Sequence, residues 1–248
     1  MKEIEKGDKI KQRLMKIKLN PIFIAGALVT ILGVIFLWFY LPHEQKEIMN
    51  KVEISLPPPH KASNTSLEEV LWKRRSIRDF KQEAINLKEV SQLLWAAQGI
   101  TDPSGKRTAP SAGALYPLEV YLVARDVEEL EPGVYKYVPK DHKLIKILKK
   151  DISQELAQAA LGQSHVQEAS ANLVFTAVFK RTADKYGERG IRYVYMEVGH
   201  ASENVYLQAE SLDLGTVSVG AFHDEELKSI LTLAAEETPL YIMPVGRR

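Results

Sequence analysis

The chain contains no cysteine. Disulfides, thiolate nucleophiles and cysteine-ligated metal centres are therefore excluded, and the redox compartment stays open, because a cysteine-free chain suits any of them. Charge of one sign is also missing. The 33 Lys and Arg residues nearly balance 32 Asp and Glu, and a formal net charge of +1 argues for neither a nucleic-acid partner nor an acidic substrate. No internal repeat, low-complexity tract or glycine-rich dinucleotide fingerprint occurs. Gly99 to Lys106 approaches a phosphate-binding P-loop, but five residues separate its glycines, and Arg107 stands where a Ser or Thr should hold magnesium. Metal spacing is lacking too. Glu197 and His200 stand at i, i+3 as in di-iron carboxylate bundles, but such sites need a second copy and further glutamates. His43, His60, His142, His165 and His223 show no ligand spacing.

What is present divides the chain. At 248 residues and 45% hydrophobic it can bury one substantial core. Ile22–Leu41 is a continuous apolar run with Trp38, Phe39 and Tyr40 at its end. About 20 such residues cross a bilayer, and the aromatics fit an interfacial belt. This predicts a basic segment over 1–19, a transmembrane helix over 20–42, a Pro-containing linker over 43–64 and a folded domain over 65–248. Tyr40-Leu41-Pro42-His43 offers no small-residue cleavage site, so an uncleaved single-pass anchor is expected. Lysines outweigh acids before the run and are balanced after it, which places the domain outside the cytoplasm. Pro57-Pro58-Pro59 reads as a semi-rigid spacer.

The domain is organised around Asp184–Phe222. Val194, Val198, Ala201, Val205, Ala209 and Leu212 recur at steps of three and four, one face of a helix. Ile191, Tyr195, Met196, Tyr206 and Leu207 are apolar on other faces, so this central helix is expected to be buried nearly all round. Leu214-Gly215 is expected to end it, and Thr216–Val219 to form a strand running to Gly220. Ser66 and Glu69, then Asn86 and Glu89, open two helices with capping boxes. The first should bury Leu67, Val70 and Leu71. Val120–Ala124, a hairpin of Val134–Val138 with Leu144–Leu148, Leu173–Phe179 and Leu240–Val245 read as strands, with helices over Ile152–Leu161 and after Asp224. Interleaved strands and helices predict an α+β sheet flanked by helices.

Several residues could carry chemistry. Arg74, Arg75, Ser76 and Arg78 concentrate donors suited to a phosphate, although a solvated basic loop has the same composition. Arg247 and Arg248 either fray at the terminus or reach that same anion. Ser111, Ala112 and Gly113 form a small-residue loop able to offer backbone N–H groups to a flat polar ring. Lys185 and Tyr186 could transfer a proton together, and a surface pair of this kind is the commoner case.

Taken in order, Arg-Arg-Ser-Ile-Arg-Asp-Phe (74–80), Leu-Leu-Trp-Ala-Ala-Gln-Gly (93–99), Ala-Pro-Ser-Ala-Gly-Ala-Leu-Tyr-Pro-Leu-Glu-Val-Tyr (109–121) and Lys-Tyr-Gly-Glu-Arg-Gly (185–190) form a pattern. Glu-Val-Gly-His (197–200), Val-Gly-Ala-Phe (219–222) and Pro-Val-Gly-Arg (244–247) complete it. From about Ile54 to its end the chain resembles the nitroreductase superfamily of FMN enzymes, and within it the SagB-type dehydrogenases. The resemblance implies an α+β sandwich and an intertwined homodimer with FMN at the subunit interface. It implies phosphate contacts from Arg74, Arg75, Ser76 and Arg78, flavin contacts from Ser111, Ala112 and Gly113, Gly220 near the ring and Arg247 as a terminal basic contact. In azoline-oxidising members a Lys-Tyr pair serves catalysis, which falls on Lys185 and Tyr186. Asp184 and Glu203 depart from the pattern where an apolar residue and a glutamine are expected.

Three functions follow as expectations. The first is oxidation of a peptide azoline to an azole, with hydride passing to flavin N5. The second is reduction of quinones or nitro compounds with NAD(P)H as a transient donor over the flavin. The third is a membrane-anchored protein that binds a flavin or a partner without turnover.

Overall fold

The computed structural model describes residues 52–248, of which Val52–Arg248 form one compact unit. In chain order its elements are β1 (Glu53–Ser55), α1 (Leu67–Lys73), β2 (Ile85–Asn86), α2 (Leu87–Gln98), a short 3-10 turn (Ala112–Ala114), β3 (Leu118–Ala124), β4 (Val127–Glu128), β5 (Gly133–Val138) and β6 (Lys143–Leu148). Then come α3 (Ser153–Ala159), α4 (Ser164–Glu168), β7 (Ala171–Ala177), α5 (Lys180–Tyr186), α6 (Arg189–Ser211), β8 (Leu214–Thr216), α7 (Asp224–Ile230) and β9 (Thr238–Arg247). Seven strands make an antiparallel sheet in the order β1-β6-β5-β3-β7-β9-β8, and β2 pairs with β4 beside it.

Alternation along β3 shows how the sheet serves two layers. Val120, Leu122 and Ala124 join the cluster that receives Val90, Leu93 and Leu94 of α2 and Val194, Val198 and Val205 of α6. Tyr121 and Val123 point the other way, with Leu156 of α3, Val166 of α4 and Leu227 of α7. A period of two turned against two helical layers is what a central strand requires. The expected α+β sheet flanked by helices is therefore observed.

The central helix is α6, and five of its six predicted inward residues are almost wholly buried. It is not buried all round: Ile191, Tyr195 and Met196 are 44%, 56% and 52% exposed. Nor does Gly215 end it. Asp213 takes the left-handed conformation at φ 58°, and Gly215 lies inside β8 opposite Gly246. On α1 only Val70 is buried, while Leu67, Leu71 and Trp72 stand out at 60%, 53% and 80%. Both predicted N-terminal caps form, Ser66 accepting from the Glu69 N–H at 3.1 Å and Asn86 from the Glu89 N–H at 3.0 Å. In the helix after Phe222 the N-cap position falls on His223, with no side-chain capping bond, and Asp224 is the first helical residue.

Part of the expected linker belongs to the fold. Glu53–Ser55 pairs with β6, and Leu56 is buried. The Ser91 hydroxyl donates to the Pro57 carbonyl at 2.6 Å, and Gln92 accepts from the His60 N–H at 2.8 Å. Among the described residues no helix is long and apolar enough to cross a membrane. Helix α6, at 23 residues, has the length but carries Arg189, Arg192, Glu197, Glu203 and Glu210. The expectation of a single-pass protein with an extracytoplasmic domain is corrected on that finding. Ile22–Leu41, which carried it, lies outside the described residues.

Candidate functional site

The arginine loop follows α1 and lies across the free edge of the sheet. Ile77 donates its N–H to the Thr216 carbonyl at 2.9 Å, and Lys81 to the Arg247 carbonyl at 3.0 Å. Gly215 and Gly246, opposite each other, leave the floor flat. A Cβ on the first would sit 2.7 Å from Ile77 Cγ2, and one on the second 2.9 Å from Phe80 Cγ. Two adjacent glycines are needed because two apolar side chains rest directly on the backbone.

On this floor Arg75 and Arg78 are exposed and Arg74 is half-buried. Arg74 holds its guanidinium 5.1 Å from the centre of the Tyr206 ring. Arg75 donates to the carbonyls of Trp72 and Arg74 at 3.0 and 2.7 Å. Ser76 Oγ lies 3.2 Å from Tyr206 Oη, which accepts the Ser218 N–H at 2.7 Å. Tyr206 thus ties the arginine loop to the segment that leads to Gly220. Its sequence signal is weak, since a tyrosine on a half-buried helix face is ordinary core. Arg247 is turned elsewhere. It forks onto Glu89, the acidic member of the α2 capping box, at 2.6 and 2.9 Å. Arg248 is held by Glu210 and Asp213. Gly220 is exposed, with Tyr241 Cε1 the nearest atom to an added Cβ at 3.5 Å.

The small-residue loop carries a second group of candidate residues. Gly113, Ala114 and Tyr116 all have positive φ, at 63°, 54° and 46°. Only the glycine adopts that region freely, so the loop is strained. Ser111 Oγ accepts the Tyr116 N–H at 2.9 Å, and the Arg107 guanidinium stacks 4.4 Å from the Tyr116 ring centre. Lys185 and Tyr186 close over this loop from the end of α5. A Cβ at Gly113 would lie 2.7 Å from Tyr186 Oη and 2.9 Å from Lys185 Nζ. Lys185 Nζ stands 5.4 Å from the Tyr186 ring centre, and Tyr193 packs edge-on against that ring at 5.2 Å. The pair predicted from sequence is thus brought to the predicted loop from about 70 residues away. Asp184, a departure from the family pattern, pairs with Lys180 on the surface at 2.6 Å, and Glu203 is exposed.

Glu197, which its i, i+3 spacing to His200 offers only as a metal ligand, is a further functional candidate. Glu197 points inward and is 2% exposed, whereas His200 is exposed, so the two do not converge. Burial pushes the Glu197 carboxyl up to about 7, against the Ser111 hydroxyl and the Arg107 charge, which favour ionisation. Burial also lowers the Arg107 guanidinium below its usual range. The signal in the sequence is a carboxylate on the stripe Val194, Val198, Ala201.

The site has features that fit a flavin nucleotide. The cationic and hydroxyl donors of the arginine loop suit a phosphate, the bare-backbone loop beside the Lys-Tyr pair suits a flat ring, and Thr216 Oγ1 and Ser218 Oγ, in the segment that leads to Gly220, are buried without partners.

Known proteins give an independent measure. The Nitroreductase family matches residues 71–247. A Methanocaldococcus jannaschii protein with a provisional nitroreductase name is 50% identical over 197 residues, which cover 79% of this chain and 97% of that one. A crystal structure from Ralstonia eutropha, also provisionally a nitroreductase, superposes with a TM-score of 0.70 at 32% identity, covering 79% of this chain and 89% of that one. The Escherichia coli microcin synthetase McbBCD complex with truncated pro-MccB17 bound matches at 24% identity and a TM-score of 0.61, over 84% of this chain and 83% of that one. The chain spans about half the length of two curated relatives, the microcin B17-processing protein McbC and a trifolitoxin operon protein.

Proposed function

This chain belongs to the nitroreductase family of oxidoreductases, and from that premise we propose that it is an FMN-dependent dehydrogenase of the SagB type, working on peptide azolines. The observation that carries the reading is the closure of Lys185 and Tyr186 over Gly113. A bound flavin supplies the hydride acceptor. The protein's own residues supply the rest. Arg74, Ser76 and Arg78, with Arg75 bracing the turn, bind the phosphate as charge-assisted donors. Ser111, Ala112, Gly113 and Gly220 give the ring a surface with few side chains, and Arg247 serves the site by fixing the end of the arginine loop. Lys185 or Tyr186 takes the substrate proton as hydride leaves. The peptide reading is supported by the 30% identity to McbC over 136 residues, half of that protein.

A second reading, reduction of nitro compounds or quinones with NAD(P)H as a transient donor, is favoured by the 50% identical relative. In either case a homodimer is the proposed working unit, supported by the exposed Leu67, Leu71, Trp72, Ile191, Tyr195 and Met196.

The experiment is purification of the full chain with its cofactor. Denaturation is expected to release FMN. Arg78→Ala should weaken FMN binding by roughly ten- to a hundredfold, the worth of a charge-assisted contact, while Lys185→Ala keeps the flavin and loses azoline oxidation. Equal loss of flavin in both variants would refute this division of roles. NADH turnover that survives Lys185→Ala, with no azoline oxidation in the wild type, selects the second reading.

A further inference from the structure

Tyr206, on α6, meets both the arginine loop and the segment that leads to Gly220 while belonging to neither. Its Oη accepts the Ser218 N–H at 2.7 Å, which leaves the phenol its own proton to give. Ser76 Oγ lies 3.2 Å from that Oη, at the long end of hydrogen-bonding distance, and either oxygen can be the donor. The Arg74 guanidinium stands 5.1 Å from the centre of the same ring, within cation–π range. Tyr206 is half-buried and packs against the core, whereas Ser76 is exposed. Two donors of a loop are thus referred to one side chain on a helix of 23 residues. Next to Ser76, the Ile77 N–H fastens the same loop to the Thr216 carbonyl at 2.9 Å.

We infer that Tyr206 is a positioning residue for the phosphate end of the site: its hydroxyl, held by the Ser218 N–H, aims the Ser76 hydroxyl at the phosphate, and its ring carries Arg74. The inference rests on the flavin reading above. A phosphate dianion only accepts, so Ser76 gives it the single proton of its hydroxyl. Ser76 then has none left for Tyr206, and their contact persists only with the phenol donating to Ser76 Oγ. Three donors run in one direction, from the Ser218 N–H to the Tyr206 O–H to the Ser76 O–H and on to the anion. Each polarises the next. An anion therefore selects one sense of a hydrogen bond that can otherwise run either way. Tyr206 neither ionises nor touches the phosphate in this arrangement, and it acts through Ser76 and Arg74.

The test compares dissociation constants for FMN and for riboflavin, which lacks the phosphate, by flavin fluorescence at pH 8. It uses the full chain, Tyr206→Phe, Ser76→Ala and the double variant. Phenylalanine keeps the ring beside Arg74 and removes only the hydroxyl. Tyr206→Phe should lower the preference for FMN over riboflavin by about three- to tenfold, the worth of a neutral hydrogen bond. Added to Ser76→Ala, it should lower that preference no further, because the relay has already lost its last member. Equal weakening of both flavins in Tyr206→Phe would leave the residue a merely structural role and overturns the inference, as does a further fall in the double variant. A second measurement needs no Tyr206 variant, should that protein not fold. The Ser218 amide resonance of the wild type should differ between its FMN and riboflavin complexes, and Ser76→Ala should remove the difference. Identical resonances in the wild type, or a difference that survives Ser76→Ala, overturn the inference. If the wild type binds neither flavin, the flavin reading fails and inorganic phosphate decides. A phosphate-induced shift of the Ser218 amide that Ser76→Ala abolishes sustains the relay, and any other result overturns it.

Discussion

At the scale of single residues, the buried Glu197 makes stability depend on pH. A carboxyl raised to about 7 from its ordinary value near 4.5 means that the folded chain holds a proton the unfolded chain has lost across that window. Stability is then greatest below it and falls as pH rises through it. The slope reaches at most about 1.4 kcal/mol per pH unit. Urea unfolding of the flavin-free protein from pH 4.5 to 8 should show this decline, and Glu197→Gln should flatten it. Parallel curves for the two proteins would contradict the assignment.

At the scale of elements, the arginine loop and the amino-terminal strand depend on partners far along the chain. The loop rests on β8 and β9, and β1 completes the sheet through β6. Leu56 is buried, the Lys146 N–H donates to the Val52 carbonyl at 2.9 Å, and the Ser91 hydroxyl reaches Pro57. A chain beginning at residue 65 loses all of these. It should be less stable than one beginning at residue 52 by at least about 2 kcal/mol, the worth of one buried leucine. Thermal melts of the two fragments give the comparison, and equal melting temperatures would show that β1 is dispensable.

At the scale of the whole molecule, six of the exposed large apolar side chains, Leu67, Leu71, Trp72, Ile191, Tyr195 and Met196, fall on α1 and on the first turns of α6, close in sequence to the arginine loop and to Lys185-Tyr186. A surface of this kind beside a site is expected to be covered by a second copy. Sedimentation of the full chain should give a dimer. Leu71→Glu should shift it toward monomer, because a charge buried against a partner is costly, and FMN binding should weaken with it. A monomeric wild type that binds FMN tightly would remove the partner from the site.

The sequence by itself determined the α+β layering, because periods of two and of three to four are local and survive inspection one segment at a time. It also determined the composition of the arginine loop, the Ser111–Gly113 loop and the Lys185-Tyr186 pair. Where a rule was local but had a competitor, it failed. Gly215 reads as a helix cap, yet Asp213 takes the left-handed position, and the glycine is needed under Ile77. Apolar residues on every face of α6 read as burial, yet Ile191, Tyr195 and Met196 are left about half exposed among the described residues. The closure of Lys185 and Tyr186 on Gly113, the diversion of Arg247 to Glu89 and the burial of Glu197 were decided by tertiary structure alone. Each is a contact between segments distant in the chain, and its energy depends on separations and burial that spacing along a sequence does not encode.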